Sequence, residues 1–152
     1  MANRCFLVFA ASLLLALQAC THPKKVYTSE CAPTIKFKHI SFANLVDSAK
    51  FYDDQYVEVT GKYVEGKHIS ALVDEATFSD HANDHSLWVN FTQECPLYRN
   101  NEHDGLFGNG DNEYNLIKNH RITIRGRVQA TGKGYLKAYR ATINEVSYLE
   151  LY

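Results

Sequence analysis

The chain has little net charge, no long apolar run and no recognisable catalytic constellation. Its 16 lysines and arginines nearly balance 17 aspartates and glutamates, giving a formal net charge of -1. Bulk charge therefore singles out no polyanionic partner. The longest apolar stretch, Phe6–Leu17 (FLVFAASLLLAL), falls short of the roughly 20 residues a membrane-crossing helix needs. There is no Cys-x-x-Cys, which leaves a thioredoxin-like redox role without support. No Ser/His/Asp or Cys/His nucleophile grouping stands out, and there is no phosphate loop. These absences favour a binding protein over an enzyme and call for no cofactor.

What is present begins with a leader. Arg4 supplies a short positive start, and the run Phe6–Leu17 has the length of a signal h-region. Leu17-Gln18-Ala19-Cys20 follows. This tetrapeptide resembles the bacterial lipobox, at the expected distance from the start. The resemblance implies cleavage before Cys20, diacylation of its thiol and acylation of the new amino terminus. Several acyl chains anchor firmly, since each buried methylene contributes about 0.8 kcal/mol. Thr21 rather than aspartate follows the cysteine, a pattern similar to that of outer-membrane lipoproteins. An ordinary secretory signal with a chance cysteine is the competing reading. On the lipobox reading, residues 1–19 are the signal peptide and 20–33 a lipidated tether. Residues 34–152 are then the folded domain, in a compartment that makes nucleic acid a poor partner.

Cys5 leaves with the leader and Cys20 takes lipid, so Cys31 and Cys95 remain. In an oxidising compartment they are expected to form a disulfide. Two buried free thiols are the alternative.

The domain is organised around two stretches with the same pattern. Gln55–Gly66 reads QYVEVTGKYVEG and His120–Ala130 reads HRITIRGRVQA. Val57, Val59, Gly61 and Tyr63 share one face by period-2 alternation, as do Ile122, Ile124, Gly126 and Val128. A glycine inside a strand marks a bulge or sharp bend, and small barrels need such bends to close. Further strands are expected at His68–Glu75, Ser86–Thr92 and Tyr135–Ile143, with Asn144–Tyr152 continuing the last or packing back. Thr131–Gly134 has the composition of a hairpin turn. Ser41 suits an N-cap, and Phe42, Leu45, Val46 and Ala49 follow at helical spacing, predicting a short amphipathic helix over Phe42–Tyr52. Thr34–His39 alternates as a short strand or extended arm. Glu94–Asn119 is an irregular excursion whose tail, Asn112–Asn119, has room for one or two helical turns.

The fold class is thus mainly β: a small five-stranded antiparallel barrel with one short N-terminal helix. Two Gly-bearing strands flanking the Trp88-Val89-Asn90-Phe91 strand resemble an OB-fold over about Phe42–Tyr152. OB-folds often carry a helix between the third and fourth strands, where this chain is rich in Gly and Asn. The helix before the first strand is a candidate to fill that end instead.

The OB-fold resemblance implies a ligand face across the second and third strands and the flanking loops. Trp88 and Asn90 are its candidates, with Tyr135 and Tyr139 nearby; aromatic platforms suit sugars and bases. Filling the core or its rim is the plainer use of these rings. Arg121, Arg125 and Arg127 fall on one face of the fourth strand, with Lys137 and Tyr139 as a continuation, an arrangement that would grip an anionic partner. A solvated charged sheet face has the same pattern. Asp80–His85 includes His81 and His85, both competent zinc ligands, but meets no structural zinc spacing. Asn100–Asp111 is a faint echo of a calcium loop without its terminal glutamate.

The leading functional expectation is a non-enzymatic outer-membrane lipoprotein. It would bind an envelope protein or glycan through Trp88, Asn90, Arg125, Arg127 and Tyr139. The alternative is an inhibitor or immunity-type lipoprotein that neutralises a toxic periplasmic enzyme through an acidic or loop face such as Asp104–Glu113.

Overall fold

A computed structural model describes residues 24–31, 34–80, 82–99, 105–107, 114–131 and 134–152. The leader, Cys20, His81 and most of the Asn100–Asp111 stretch lie outside the described residues. The strands are β1 (Lys25–Thr28), β2 (Lys38–His39), β3 (Tyr56–Gly66), β4 (Ile69–Val73), β5 (Leu87–Val89), β6 (Tyr98–Arg99), β7 (Arg121–Gln129) and β8 (Ala141–Leu151). Two short helices, α1 (Phe42–Asp47) and α2 (Tyr114–Ile117), complete the regular structure.

Five strands close on themselves. β3 pairs β4, β4 pairs β5, β5 runs parallel to β8, β8 pairs β7, and β7 returns to β3. This is the closed, mainly β, OB-fold-like barrel that the pattern predicts. The predicted inner face is buried in both glycine-bearing strands: Val57, Val59, Gly61 and Tyr63 in β3, and Ile122, Ile124, Gly126 and Val128 in β7, where Thr123 of the other face is buried as well. The register of β7 against β8 shifts between Arg125 and Arg127, at Gly126. A slip there lets the strand bend without turning its apolar face to water.

Both ends of the barrel are plugged. Ser41 Oγ accepts the Asn44 N–H and starts α1, which buries Phe42, Leu45 and Val46. A 3-10 turn over Ala49–Tyr52 follows, so the predicted helix is real but changes pitch after one and a half turns. This segment leads to Asp53, whose carboxylate accepts the Ala130 N–H at the far end of β7. The other end of β7 begins beside Ile117, which is fully buried, and Asn119 and His120 exchange backbone hydrogen bonds with Tyr63. Leu97 and Leu106, each 1% exposed, and the rings of Phe91 and Phe107 join the core with it. The Gly- and Asn-rich excursion therefore supplies core residues, while α1 closes the opposite end.

Three elements differ from expectation. Lys25–Thr28, expected in the tether, forms β1 against Tyr148–Leu151 of β8, because Tyr27 has an apolar site to fill and is 6% exposed. The last barrel strand begins at Ala141, not Tyr135. Positive φ angles at Gly134 (63°), Leu136 (55°) and Lys137 (56°) fold the preceding segment back on itself, and Tyr135–Lys137 is a 3-10 turn. Arg140 then donates its N–H to Ser86 O and its guanidinium to the Val46 and Asp47 carbonyls, which sets the strand start against the α1 terminus. The third barrel strand shortens to Leu87–Val89, though Asn90 N–H still reaches Ile143 O at 2.9 Å.

Cys31 and Cys95 form a disulfide with a Cα–Cα distance of 5.5 Å. It links the chain after β1 to the chain before β6, two strands that are themselves paired at Tyr27 and Arg99.

Candidate functional site

Two outer faces of the barrel hold the residues that sequence patterning singled out. On the first, β4 and β5 bring Ala71 opposite Trp88, and Trp88 opposite Thr142 of β8. This is the face expected to hold a ligand, but the β7–β8 connection lies on it. A Cβ built on Gly134 would sit 2.6 Å from Trp88 Cγ. Tyr139 packs edge-on to Trp88 with centroids 5.1 Å apart and is 4% exposed, so it belongs to the core and not to a contact surface. Tyr135 stacks on His68 of the β3–β4 turn at 4.4 Å and 7°. The two loops that flank the face thus meet above it. Asn90 is committed as well: its amide donates to Asn144 Oδ1 at 2.9 Å, and Asn144 donates to Gln129.

The second face is formed by β3, β7 and β8. Their pairing sets Glu58, Arg125 and Tyr148 in one row and Thr60, Thr123 and Glu150 in the next. The arginines do not form an uncompensated basic stripe. Arg125 Nε donates to Glu58 Oε2 at 2.6 Å. Arg127 bridges Asp54 at 2.7 Å and Glu145 at 2.6 Å, and the Tyr56 hydroxyl donates to Glu145. Lys137, displaced into the folded-back connection, does not continue the row.

Arg125 nonetheless occupies a distinctive place. Its Cζ lies 4.2 Å from the Tyr148 ring centroid and 5.7 Å from that of Phe37, within cation–π range of both. Phe37 precedes β2, whose parallel pairing with β3 holds that arm against the barrel and sets His39 Nδ1 3.1 Å from Glu58 Oε1. Burial raises the Glu58 carboxyl, but hydrogen bonds from Arg125 and His39 outweigh it and leave the group below its usual 4.5. Burial, then a hydrogen bond donated to Glu150, push the Tyr148 hydroxyl up to about 12. Glu150 also meets Lys24. Between these residues lies a groove of about 240 Å³ lined by Thr28, Ser29, Ile35, Phe37, Arg125, Ser147 and Tyr148. Ser147 is 6% exposed and lines this groove.

A second groove, of about 310 Å³, is lined by Lys62, Asp74, Glu75, Ala76, Asn119 and Arg121. It has no aromatic wall, and Lys62 and Glu75 close on each other at 2.6 Å. In the Asp80–His85 loop, His85 Nδ1 lies 2.9 Å from Asp80 Oδ2 and its ring stacks on Phe78. No group of three or more potential metal-ligating side chains gathers among the described residues.

Sequence reasoning named Arg125 but missed its surroundings: Phe37, Glu58, Ser147 and Tyr148. One signal was available. Glu58 and Arg125 both point outward on strands with the same glycine pattern, so antiparallel pairing of those strands places opposite charges side by side.

Fold and surface together define an OB-fold-like barrel with an arginine-centred, aromatic-walled groove on the face formed by its first, fourth and fifth strands. Neither a protein-family model, nor a curated protein, nor a solved structure matches the chain.

Proposed function

We propose that the chain is a bacterial lipoprotein, anchored in the outer membrane through acylated Cys20, whose barrel binds an envelope protein or glycan without catalysing a reaction. Leu17-Gln18-Ala19-Cys20 supports the anchor. The observation that carries the binding role is the groove at Arg125. An arginine fixed by Glu58 and held near two rings has already lost most of its side-chain freedom. It is therefore preorganised for a ligand, and little ordering entropy remains to oppose binding. Trp88 and Tyr139, by contrast, are engaged by the chain's own β7–β8 connection, which moves the expected contact from that face to the Arg125 face.

Two measurements test this reading. The full chain expressed in a Gram-negative host is expected to incorporate labelled palmitate, to fractionate with the outer membrane, and to lose both properties in Cys20→Ala. The full chain immobilised in detergent is expected to retain an envelope component that Arg125→Ala no longer retains. An unlabelled, unanchored wild-type chain would remove the lipoprotein reading. Equal retention by wild type and Arg125→Ala would remove the groove from the binding role.

A further inference from the structure

We propose that the Arg125 groove is a subsite for one neutral sugar residue of an envelope glycan. This inference rests on the binding role proposed above and names the ligand class.

Size comes first. At about 240 Å³ the groove lies just below the roughly 300–1,000 Å³ typical of sites for drug-sized ligands. It suits a single ring-sized unit, with the rest of a polymer passing over the open side.

Charge comes second. Glu58 compensates the Arg125 cation at 2.6 Å, and Glu150 compensates Lys24 on the same face. An anionic ligand would therefore meet a locally neutral surface and would also face two carboxylates. A neutral ligand avoids that repulsion. The guanidinium still offers directed donors, because only its Nε is hydrogen-bonded among the described residues.

Chemistry of the wall comes third. A pyranose has apolar C–H faces and a rim of hydroxyls that both donate and accept. The Phe37 and Tyr148 rings supply surfaces for the C–H faces. Ser147, on the groove lining, supplies a hydroxyl of matching character. Ser29 adds a second hydroxyl, and its N–H is tied to Ser147 O at 2.9 Å, which fixes the two residues relative to each other.

The test is calorimetric titration of the full chain in detergent with maltotetraose, cellotetraose, chitotetraose and, as an acidic counterpart, tetragalacturonate. At least one neutral tetramer is expected to bind with a Kd of millimolar or tighter, and more tightly than tetragalacturonate. Phe37→Ala is expected to weaken that binding at least tenfold. Ser147→Ala is expected to weaken it several-fold while leaving the thermal midpoint unchanged, which separates a ligand contact from a structural one. No binding by any neutral tetramer, preference for the acidic one, or unchanged binding in both variants overturns the inference. The broader reading has its own readouts: a palmitate-labelled chain that retains an envelope protein through Arg125 but binds no sugar would keep the binding role and discard the saccharide.

Discussion

The bend in β7 is the most exacting feature of the barrel, and substitution of its glycine measures it. A Cβ on Gly126 would lie 2.6 Å from Asn144 O and 2.6 Å from Ile143 Cγ2. The first atom is backbone in the adjacent β8, and the second belongs to a fully buried side chain, so neither can give way without moving the strand. Overpacking of a core costs about 1–3 kcal/mol, and two such contacts put Gly126→Ala at the top of that range, near 3 kcal/mol. Gly61 is the counterpart in β3. Its Cβ would lie 3.0 Å from Val73 O and 3.3 Å from Leu72 Cβ and Phe42 Cδ2, a fit that small shifts can relieve, so Gly61→Ala should cost about 1 kcal/mol. Gly66 is the control. Its nearest neighbour would be Ile69 Cδ1 at 3.7 Å, an ordinary contact, and Gly66→Ala should stabilise by about 0.4–1 kcal/mol through the unfolded chain. Each kcal/mol moves the midpoint of a domain this size by roughly 3–5 °C. Thermal melts of the three variants should therefore rank Gly66→Ala above wild type, Gly61→Ala slightly below it, and Gly126→Ala about 10 °C below it, with urea midpoints in the same order. A Gly126→Ala protein as stable as wild type, or less damaged than Gly61→Ala, would refute the packing described for the β7–β8 contact.

Three further expectations follow from the same contacts. Reducing Cys31–Cys95, which are 64 residues apart, should cost about 4 kcal/mol in the chain-entropy treatment, read as the difference in urea midpoint between oxidised and reduced protein; equal midpoints would contradict it. Glu58 sits below its usual 4.5 in the folded state, so the unfolded chain takes up the proton first on acidification. The contribution is complete above about pH 4.5 and is lost as pH falls through the lower folded value, and Glu58→Gln should flatten the stability profile in that window, whereas an unchanged profile would argue against the pairing. Gly134→Ala would place a Cβ 2.6 Å from Trp88 Cγ at a φ of 63°, lifting the β7–β8 connection and red-shifting the emission of the chain's only tryptophan; unaltered emission would show that the connection does not press on that ring.

The barrel was legible because its signal is local. Val57-Glu58-Val59 and Ile122-Thr123-Ile124 alternate strictly in sequence and their glycines fall at the same phase; the burial of β3 follows period 2, and that of β7 departs from it only at Thr123, which is buried as well. Ser41 followed by Phe42, Leu45 and Val46 is likewise a local helix signal. The start of β8 was not legible, because tertiary contacts decide it. Tyr135-Leu136-Lys137 has good strand composition, yet Tyr135 stacks on His68 and Tyr139 packs on Trp88. Those contacts draw the segment into a turn and postpone the strand to Ala141. Moving that boundary changes which residues face outward beside β7: Tyr148 now stands in the row with Arg125, where Tyr139 was expected.

The candidate site shows why a row of arginines in sequence says little about charge on a surface. Arg125 and Arg127 alternate outward on β7 as expected, and a single strand suggests a basic stripe. Each partner, however, comes from another part of the chain: Glu58 and Asp54 from the region of β3, and Glu145 from β8. Pairing converts the stripe into a neutral lattice of ion pairs, and exposed pairs of this kind add little stability. What they do add is position. Arg127 engages Asp54 with one terminal nitrogen and Glu145 with the other. Arg125, hydrogen-bonded through Nε alone among the described residues and flanked by Phe37 and Tyr148, lines the groove. The binding role proposed for this face thus rests on Arg125, which Glu58 fixes through Nε alone among the described residues. That distinction depends on the register of β3, β7 and β8 together, and composition alone cannot supply it.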